Sequence, residues 1–177
     1  MRLLDIGSGP GELLDLTHSN VIKIGIDPEI RMLQQASNNF IGIRGVGEKL
    51  PIRSASIDRV VSAFVLRNLR DRESVFDEIT RVLVNGGKGA LIDFSPPGTR
   101  MLGYPVYIYI KYILPLIGGI LASDFEAYKY LSRTILAFPQ PEVIRLELIN
   151  ANLKNVRARR LMGGVTVLYT FESHIDV

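Results

Sequence analysis

Asp5-Ile6-Gly7-Ser8-Gly9-Pro10-Gly11 sets an acid two residues ahead of three glycines at every second position. With Leu3-Leu4 before it, the stretch reads as a strand ending in a tight turn that opens a helix. That arrangement builds a small-molecule site at the carboxyl edge of a sheet. Gly7 and Gly9, with Ser8 between them, admit positive φ and remove side-chain bulk, so a ligand can lie against bare backbone. Asp5 stands where a carboxylate accepts hydrogen bonds from a cationic amine. The spacing is not the Gly-x-Gly-x-x-Gly of a dinucleotide site, and no Lys-Ser/Thr follows as in a P-loop. An ordinary Gly-rich turn has the same local pattern.

Asp27 discriminates further. It ends the β-branched run Val21–Ile26, precedes Pro28 and lies 20 residues after Gly7. An acid at the tip of a second strand can hold both hydroxyls of a ribose. The two acids around the glycine turn resemble class I methyltransferases that use S-adenosylmethionine (SAM). An NAD-binding domain shares Asp27 but not the glycine spacing.

The elements that must position these residues follow from the rest of the chain. At 177 residues a single domain buries about 70% of its unfolded surface. Apolar residues make up 47% and charged residues 22%, a globular balance. A net charge of +3 permits attraction to anionic lipid and demands no nucleic-acid partner. Without cysteine there is no disulfide, thiolate metal site or thiol nucleophile, and His18 and His174 are too few for an imidazole metal site. His18, on the first helix, reads as structural. No signal peptide fits the start, so the expected location is cytoplasmic, with membrane association.

Strands and helices alternate, which argues a mostly parallel sheet covered on both faces. Strands are expected over about 2–6, 21–26, 40–44, 57–63 and 88–94, and short helices over 12–16 and after Pro28. Val75, Phe76, Ile79, Val82 and Leu83 mark a helix over 71–84, with Asn85-Gly86-Gly87 as its stop. Helices over 126–138 and 141–150 precede two strands, 156–161 and 165–171, joined by Met162-Gly163-Gly164. The fold expected is a doubly wound α/β sheet of seven strands, Rossmann-like, with an antiparallel last strand. Residues 101–122 hold four tyrosines in an apolar run broken by Pro105, Pro115 and Gly118-Gly119. Lys111 and the prolines argue against a membrane span. An insertion at about 101–138 that packs over the sheet edge and lines an apolar pocket is expected, with peripheral membrane contact as a lesser role.

Phe64-Val65-Leu66-Arg67-Asn68, then Arg81-Val82-Leu83 with Gly86-Gly87, then Asp93-Phe94-Ser95 resemble the ubiquinone/menaquinone-biosynthesis C-methyltransferases. That family reads F-x-L-R-N, R-V-L-K-P-G-G and E-F-S. Downstream, Tyr104, Tyr107, Leu114-Pro115, Ala127-Tyr128-x-Tyr130-Leu131, Phe138-Pro139 and Gly163-Gly164-Val165 also match. Two departures bear on the site. Where the family has an Asp for the adenine amino group, this chain has Val46, leaving backbone at Gly47 or Glu48 to substitute. The family also has a helical lid ahead of its first strand, whereas this sequence starts inside that strand. The resemblance therefore implies a more open cofactor site.

The resemblance implies methyl transfer from SAM to a ring carbon of a polyprenyl hydroquinone or similar apolar aromatic. It assigns the cofactor to Asp5, Gly7, Ser8, Gly9, Asp27, Pro28, Val46, Gly47, Glu48, Ala63 and Phe64. It gives the acceptor to Tyr104, Tyr107 and Tyr128, and the chemistry to Arg67 and Asn68. Arg67 stays charged and so stabilises a phenolate or orders a water, while Asn68 fixes that water or the second ring oxygen. In the competing structural reading Arg67 pairs with an acid such as Asp71 and Asn68 caps the next helix. A SAM-binding fold without transfer activity, an NAD-dependent oxidoreductase and a homo-oligomer also stay open.

Overall fold

The strand runs ending at Ile6, Asp27 and Ala63 are each followed by a turn and a helix, and the run 41–44 by a long loop, connections that let the strands of the first half run parallel. The computed structural model describes residues 1–18, 20–37, 39–98, 103–113 and 125–174. Its strands are β1 (Arg2–Ile6), β2 (Ile22–Asp27), β3 (Ile41–Arg44), β4 (Ile57–Ala63), β5 (Leu83–Phe94), β6 (Leu153–Leu161) and β7 (Thr166–Ser173). The helices are α1 (Glu12–Asp15), α2 (Ile30–Gln34), α3 (Arg72–Val82), α4 (Gly103–Ile108), α5 (Phe125–Ala137) and α6 (Pro141–Asn150). A 3-10 turn, Leu66–Asn68, follows β4, and a π-turn, Tyr109–Ile113, prolongs α4.

One seven-stranded sheet has the order β3-β2-β1-β4-β5-β7-β6. The first five strands are parallel, and β7 is antiparallel to both β5 and β6. This is the mixed, mostly parallel sheet with an antiparallel last strand that the chain order predicts. Leu4, Val60, Leu91, Val167 and Tyr169 from the strands meet Phe76 and Ile79 of α3 and Ile144 and Leu148 of α6 in the main core. The stripe Val75, Phe76, Ile79 and Val82 is the buried side of α3, as its spacing requires.

Some boundaries differ from the pattern. Ala55 and Ser56 donate their N–H groups to the carbonyls of Arg81 and Val82, at 2.9 and 2.8 Å. Those bonds take the last helical carbonyls and end α3 at Val82. Leu83 is already extended and pairs with Ile57. Asn85-Gly86-Gly87 therefore lies inside β5, where Gly86, at φ 74°, carries the strand through a register irregularity. β6 likewise begins at Leu153, ahead of the expected Val156, and passes an irregularity at Asn155, φ 52°. Leu114-Pro115 and Gly118-Gly119 of the tyrosine-rich insertion lie outside the described residues.

Candidate active site at the carboxyl edge

β1 and β4 are neighbours, yet the chain leaves β1 toward β2 and leaves β4 toward β5. The loops after them diverge and open a crevice at the carboxyl ends, the usual ligand position in open α/β sheets. A cleft of about 280 Å³ lies there, lined by Asp5, Gly7, Ser8, Ala63 and Phe64, with Leu13 and Leu16 on one flank. Ser62 Oγ ties the two strands at this edge by donating to the Ile6 carbonyl at 2.6 Å.

The glycine turn is held from below. The amides of Gly7 and Ser8 donate to the Ile26 carbonyl at 2.7 and 3.1 Å. Gly7 has φ 72°, and a Cβ there would meet Val65 Cγ2 at 2.4 Å. Gly9, at φ 53°, differs, because a Cβ would meet nothing within 4 Å. Space above Gly9 is open to a ligand.

Asp27 does more than wait at a strand tip. Its Oδ2 accepts from the Gly9 amide at 2.9 Å and its Oδ1 from the Glu29 amide at 2.8 Å. The carboxylate fixes the glycine loop to the start of α2, and each oxygen keeps lone-pair capacity for a hydroxyl donor. Pro28 beside it is exposed; its carbonyl accepts from Arg44 Nε at 3.3 Å.

Asp5 is 2% exposed and its Oδ1 has no hydrogen-bond partner. Burial first, and the nearby Asp27 charge second, push its carboxyl up from 3.8 to about 7. A buried acceptor without a donor is costly. A cation beside it would supply the donor and return the group to its charged form. Ser8 Oγ is a second buried atom without a partner in the same loop.

Arg67 and Asn68 lie on the 3-10 turn after β4. Phe64 opens that turn at φ 61°, and its ring meets Phe94 with centroids 4.9 Å apart. Arg67 does not pair with Asp71, which caps α3 by accepting from the Ser74 amide at 3.2 Å. Its partner is Asp93, fully buried at the end of β5. Asp93 Oδ1 accepts from Arg67 Nη1 at 2.6 Å and from the Phe94 amide at 2.7 Å. Asp93 Oδ2 takes the Arg67 amide at 3.2 Å. Arg67 Nη1 also donates to the Phe64 carbonyl at 2.8 Å, and the guanidinium lies 5.2 Å over the Phe94 ring. Anchored at Nη1, Arg67 keeps a buried Nε without a partner. Asn68 is exposed and does not cap α3; its Oδ1 accepts from Tyr130 of α5 at 3.3 Å.

Tyr130 and Asp93 stand in the matching motifs, but sequence reasoning assigns neither of them a role in the site. Tyr104 is 74% exposed, Tyr107 lies under Lys111 Nζ at 5.3 Å, and Tyr128 is half-buried on α5. Tyr130 reaches Asn68 because α5 turns that side chain, two positions on from Tyr128, toward the turn. Asp93 could have been suspected from its motif, since an acid closing a strand between two apolar residues needs a partner.

Val46, Gly47 and Glu48 belong to a turn closed by a bridge between Val46 and Lys49. Val46 is 46% exposed, and Gly47 is buried against Ile6 and Val75. Glu78 and Arg81 of α3 hold the end of this loop. Glu78 Oε2 accepts from the Leu50 amide at 2.6 Å, while Arg81 donates to the Leu50 and Ile52 carbonyls at 3.1 and 2.8 Å.

A model of the ubiE/COQ5 methyltransferase family matches residues 8–171. The chain is 31% identical to the ubiquinone/menaquinone biosynthesis C-methyltransferase of Geotalea daltonii, over 97% of this chain and 78% of that protein. It is 33% identical to the demethylmenaquinone methyltransferase of Deinococcus radiodurans, over 95% and 73%. In fold it is similar to a SAM-dependent methyltransferase from Aquifex aeolicus (TM-score 0.68, 18% identity, 97% of this chain and 81% of that one). It is also similar to Haemonchus contortus phosphoethanolamine N-methyltransferase 2, solved with SAM (TM-score 0.72, 13% identity, 99% and 49%).

Proposed function

Because this chain belongs to the ubiE/COQ5 methyltransferase family, we propose that it methylates a ring carbon of a polyprenyl hydroquinone or a similar apolar aromatic. The methyl donor is SAM, and the nicotinamide reading falls with the family assignment. The observation that carries the proposal is Arg67. It is a nearly buried guanidinium anchored by Asp93, with an N–H left free at Nε beside the loop that lines the cleft.

The residues present fit SAM. The unpartnered Oδ1 of Asp5 suits an ammonium group, the lone pairs left on Asp27 suit ribose hydroxyls, and the open face of Gly9 admits close approach. Pro28, Ala63, Phe64 and the Gly47–Glu48 backbone would frame the remainder. When bound, SAM supplies an electrophilic methyl group on a sulfonium. The protein then has to make the acceptor ring electron-rich and keep water from the reacting atoms. Arg67 cannot take a proton, but the exposed part of its guanidinium stabilises a phenolate oxygen as the ring hydroxyl loses its proton to water. Asn68, oriented by Tyr130, fixes that water or the second ring oxygen. The apolar body of the acceptor is assigned to Tyr104, Tyr107 and Tyr128. The exposed Val46 favours a second reading, in which SAM binds with little transfer, because no carboxylate meets the adenine amino group there.

Labelled SAM incubated with a lipid extract or a short-chain hydroquinone, followed by mass analysis, tests the reading. A product heavier by a ring methyl supports it; labelled SAM bound without a methylated product supports the second reading. Arg67→Lys keeps the charge and loses the planar fork. Turnover is expected to fall about 10²-fold, as for loss of one oriented donor, with SAM affinity nearly unchanged. An equal loss of both would return Arg67 to a structural role.

A further inference from the structure

α4, its π-turn and α5 form a unit held down by few side chains. Ile110, Ser132 and Ile135 are buried, and Ser132 Oγ donates to the Ile110 carbonyl at 2.5 Å. The outer side is aromatic and wet, with Tyr104, Tyr109, Tyr112, Phe125 and Tyr130 each between 44% and 74% exposed. Among the described residues of these helices the ionised side chains are Lys111, Lys129, Arg133 and Glu126. Lys111 Nζ sits 5.3 and 5.1 Å over the rings of Tyr107 and Tyr112, and Arg133 lies 5.8 Å over Tyr130. Lys129 pairs with Glu126 at 3.9 Å, which leaves the Lys111 and Arg133 charges beside the exposed rings.

We propose that this face docks on the surface of an anionic bilayer. Tyrosines favour the headgroup level, where the ring is buried and the hydroxyl stays wet. Long cationic side chains lay their stems along such rings and reach anionic headgroups. No helix among the described residues is long and apolar enough to cross a membrane, so the contact is peripheral. The face also leads to the site, because Tyr130 belongs to it and donates to Asn68. A bilayer-dissolved acceptor would therefore enter beside the Arg67–Asn68 turn without crossing water. This rests on the reading that the acceptor is a lipid-soluble aromatic. The binding test needs neither SAM nor acceptor, so its failure is separable from failure of that reading.

The test is sedimentation of the full chain with vesicles of phosphatidylcholine alone or of equal parts phosphatidylcholine and phosphatidylglycerol. Binding is expected only to the anionic vesicles and is expected to weaken with salt. Lys111→Gln should lower the partition coefficient about fivefold, the effect of one cation at a charged surface. Tyr112→Ser and Phe125→Ser should lower it further while leaving turnover on a short-chain, water-soluble acceptor unchanged. Equal binding of wild type and all three variants would overturn the assignment, as would no binding at all. A concentration-dependent dimer that the same substitutions abolish, with no vesicle binding, would give the face to a second copy of the chain instead.

Discussion

At the scale of single residues, Asp27 holds the glycine loop and is the proposed ribose ligand, and removing it tests both. Asp27→Ala deletes the acceptor for the Gly9 and Glu29 amides as well as the proposed ribose ligand. SAM affinity, read by titration calorimetry, is expected to weaken by about 1.5–3 kcal/mol, the range for hydrogen bonds to a charged group. Asp27→Asn keeps one carbonyl acceptor for the loop and should lose less. Unchanged affinity in both variants would refute the ribose assignment. Asp5, the glycines and Asp27 were legible because local chemistry dictates their spacing: an acid, a turn without Cβ atoms, then an acid one strand later. Arg67 and Asn68 were legible only by resemblance. The partner of Arg67 was not, because Asp71 was claimed by the helix it precedes, and Asp93 arrives from 26 residues away through the pairing of β4 with β5.

Elements explain a residue that motif reading left without a role. In the sequence Arg81 is only the first residue of the Arg81-Val82-Leu83 motif, yet its guanidinium clamps the Leu50 and Ile52 carbonyls and pairs with Glu78 at 2.6 Å. Through this pair α3 holds the loop that carries Val46, Gly47 and Glu48. Arg81→Ala is expected to destabilise the fold by about 1–3 kcal/mol in urea melts, since two carbonyls and Glu78 lose a charged donor. SAM affinity should fall with it, while Arg81→Lys recovers part of both. A stable variant with wild-type SAM affinity would show that the loop needs no clamp. Strands β1, β2 and β4 could be read from β-branched runs ending in turns. The α3–β5 boundary could not, because Asn85-Gly86-Gly87 is the usual signal for a helix end. Here two amides from the segment before β4 end the helix three residues earlier.

On the scale of the whole molecule, Asp5 links stability to ligand and pH. Its folded pKa of about 7 stands above the unfolded value of 3.8. The fold therefore favours the protonated form, and the stability in place below about pH 4 is lost as pH rises through 7. A shift of that size corresponds to about 4 kcal/mol. Thermal melts of the free protein should show a falling midpoint across this window, and Asp5→Asn should flatten it. A bound ammonium reverses the balance. SAM affinity is expected to rise with pH, by up to about tenfold per unit between roughly pH 5 and 7, and to level off above. A pH-independent affinity would mean that Asp5 does not face the cation.

The place of β7 in the sheet sets the order in which the molecule can be made. β7 is later in the chain than every other strand, yet it is interior, with β5 on one side and β6 on the other. Lys88 must find Glu172, and Phe94 must find Thr166, across most of the second half of the sequence. Until that strand leaves the ribosome, β5 has an open edge and β6 has no sheet to join. Contacts this distant in sequence close slowly, and unpaired edges invite association between nascent chains. Refolding followed by stopped-flow fluorescence of the tyrosines should show burial of Tyr169 in the slowest phase. Full burial of Tyr169 in a faster phase, while β1–β4 are still forming, would exclude this order.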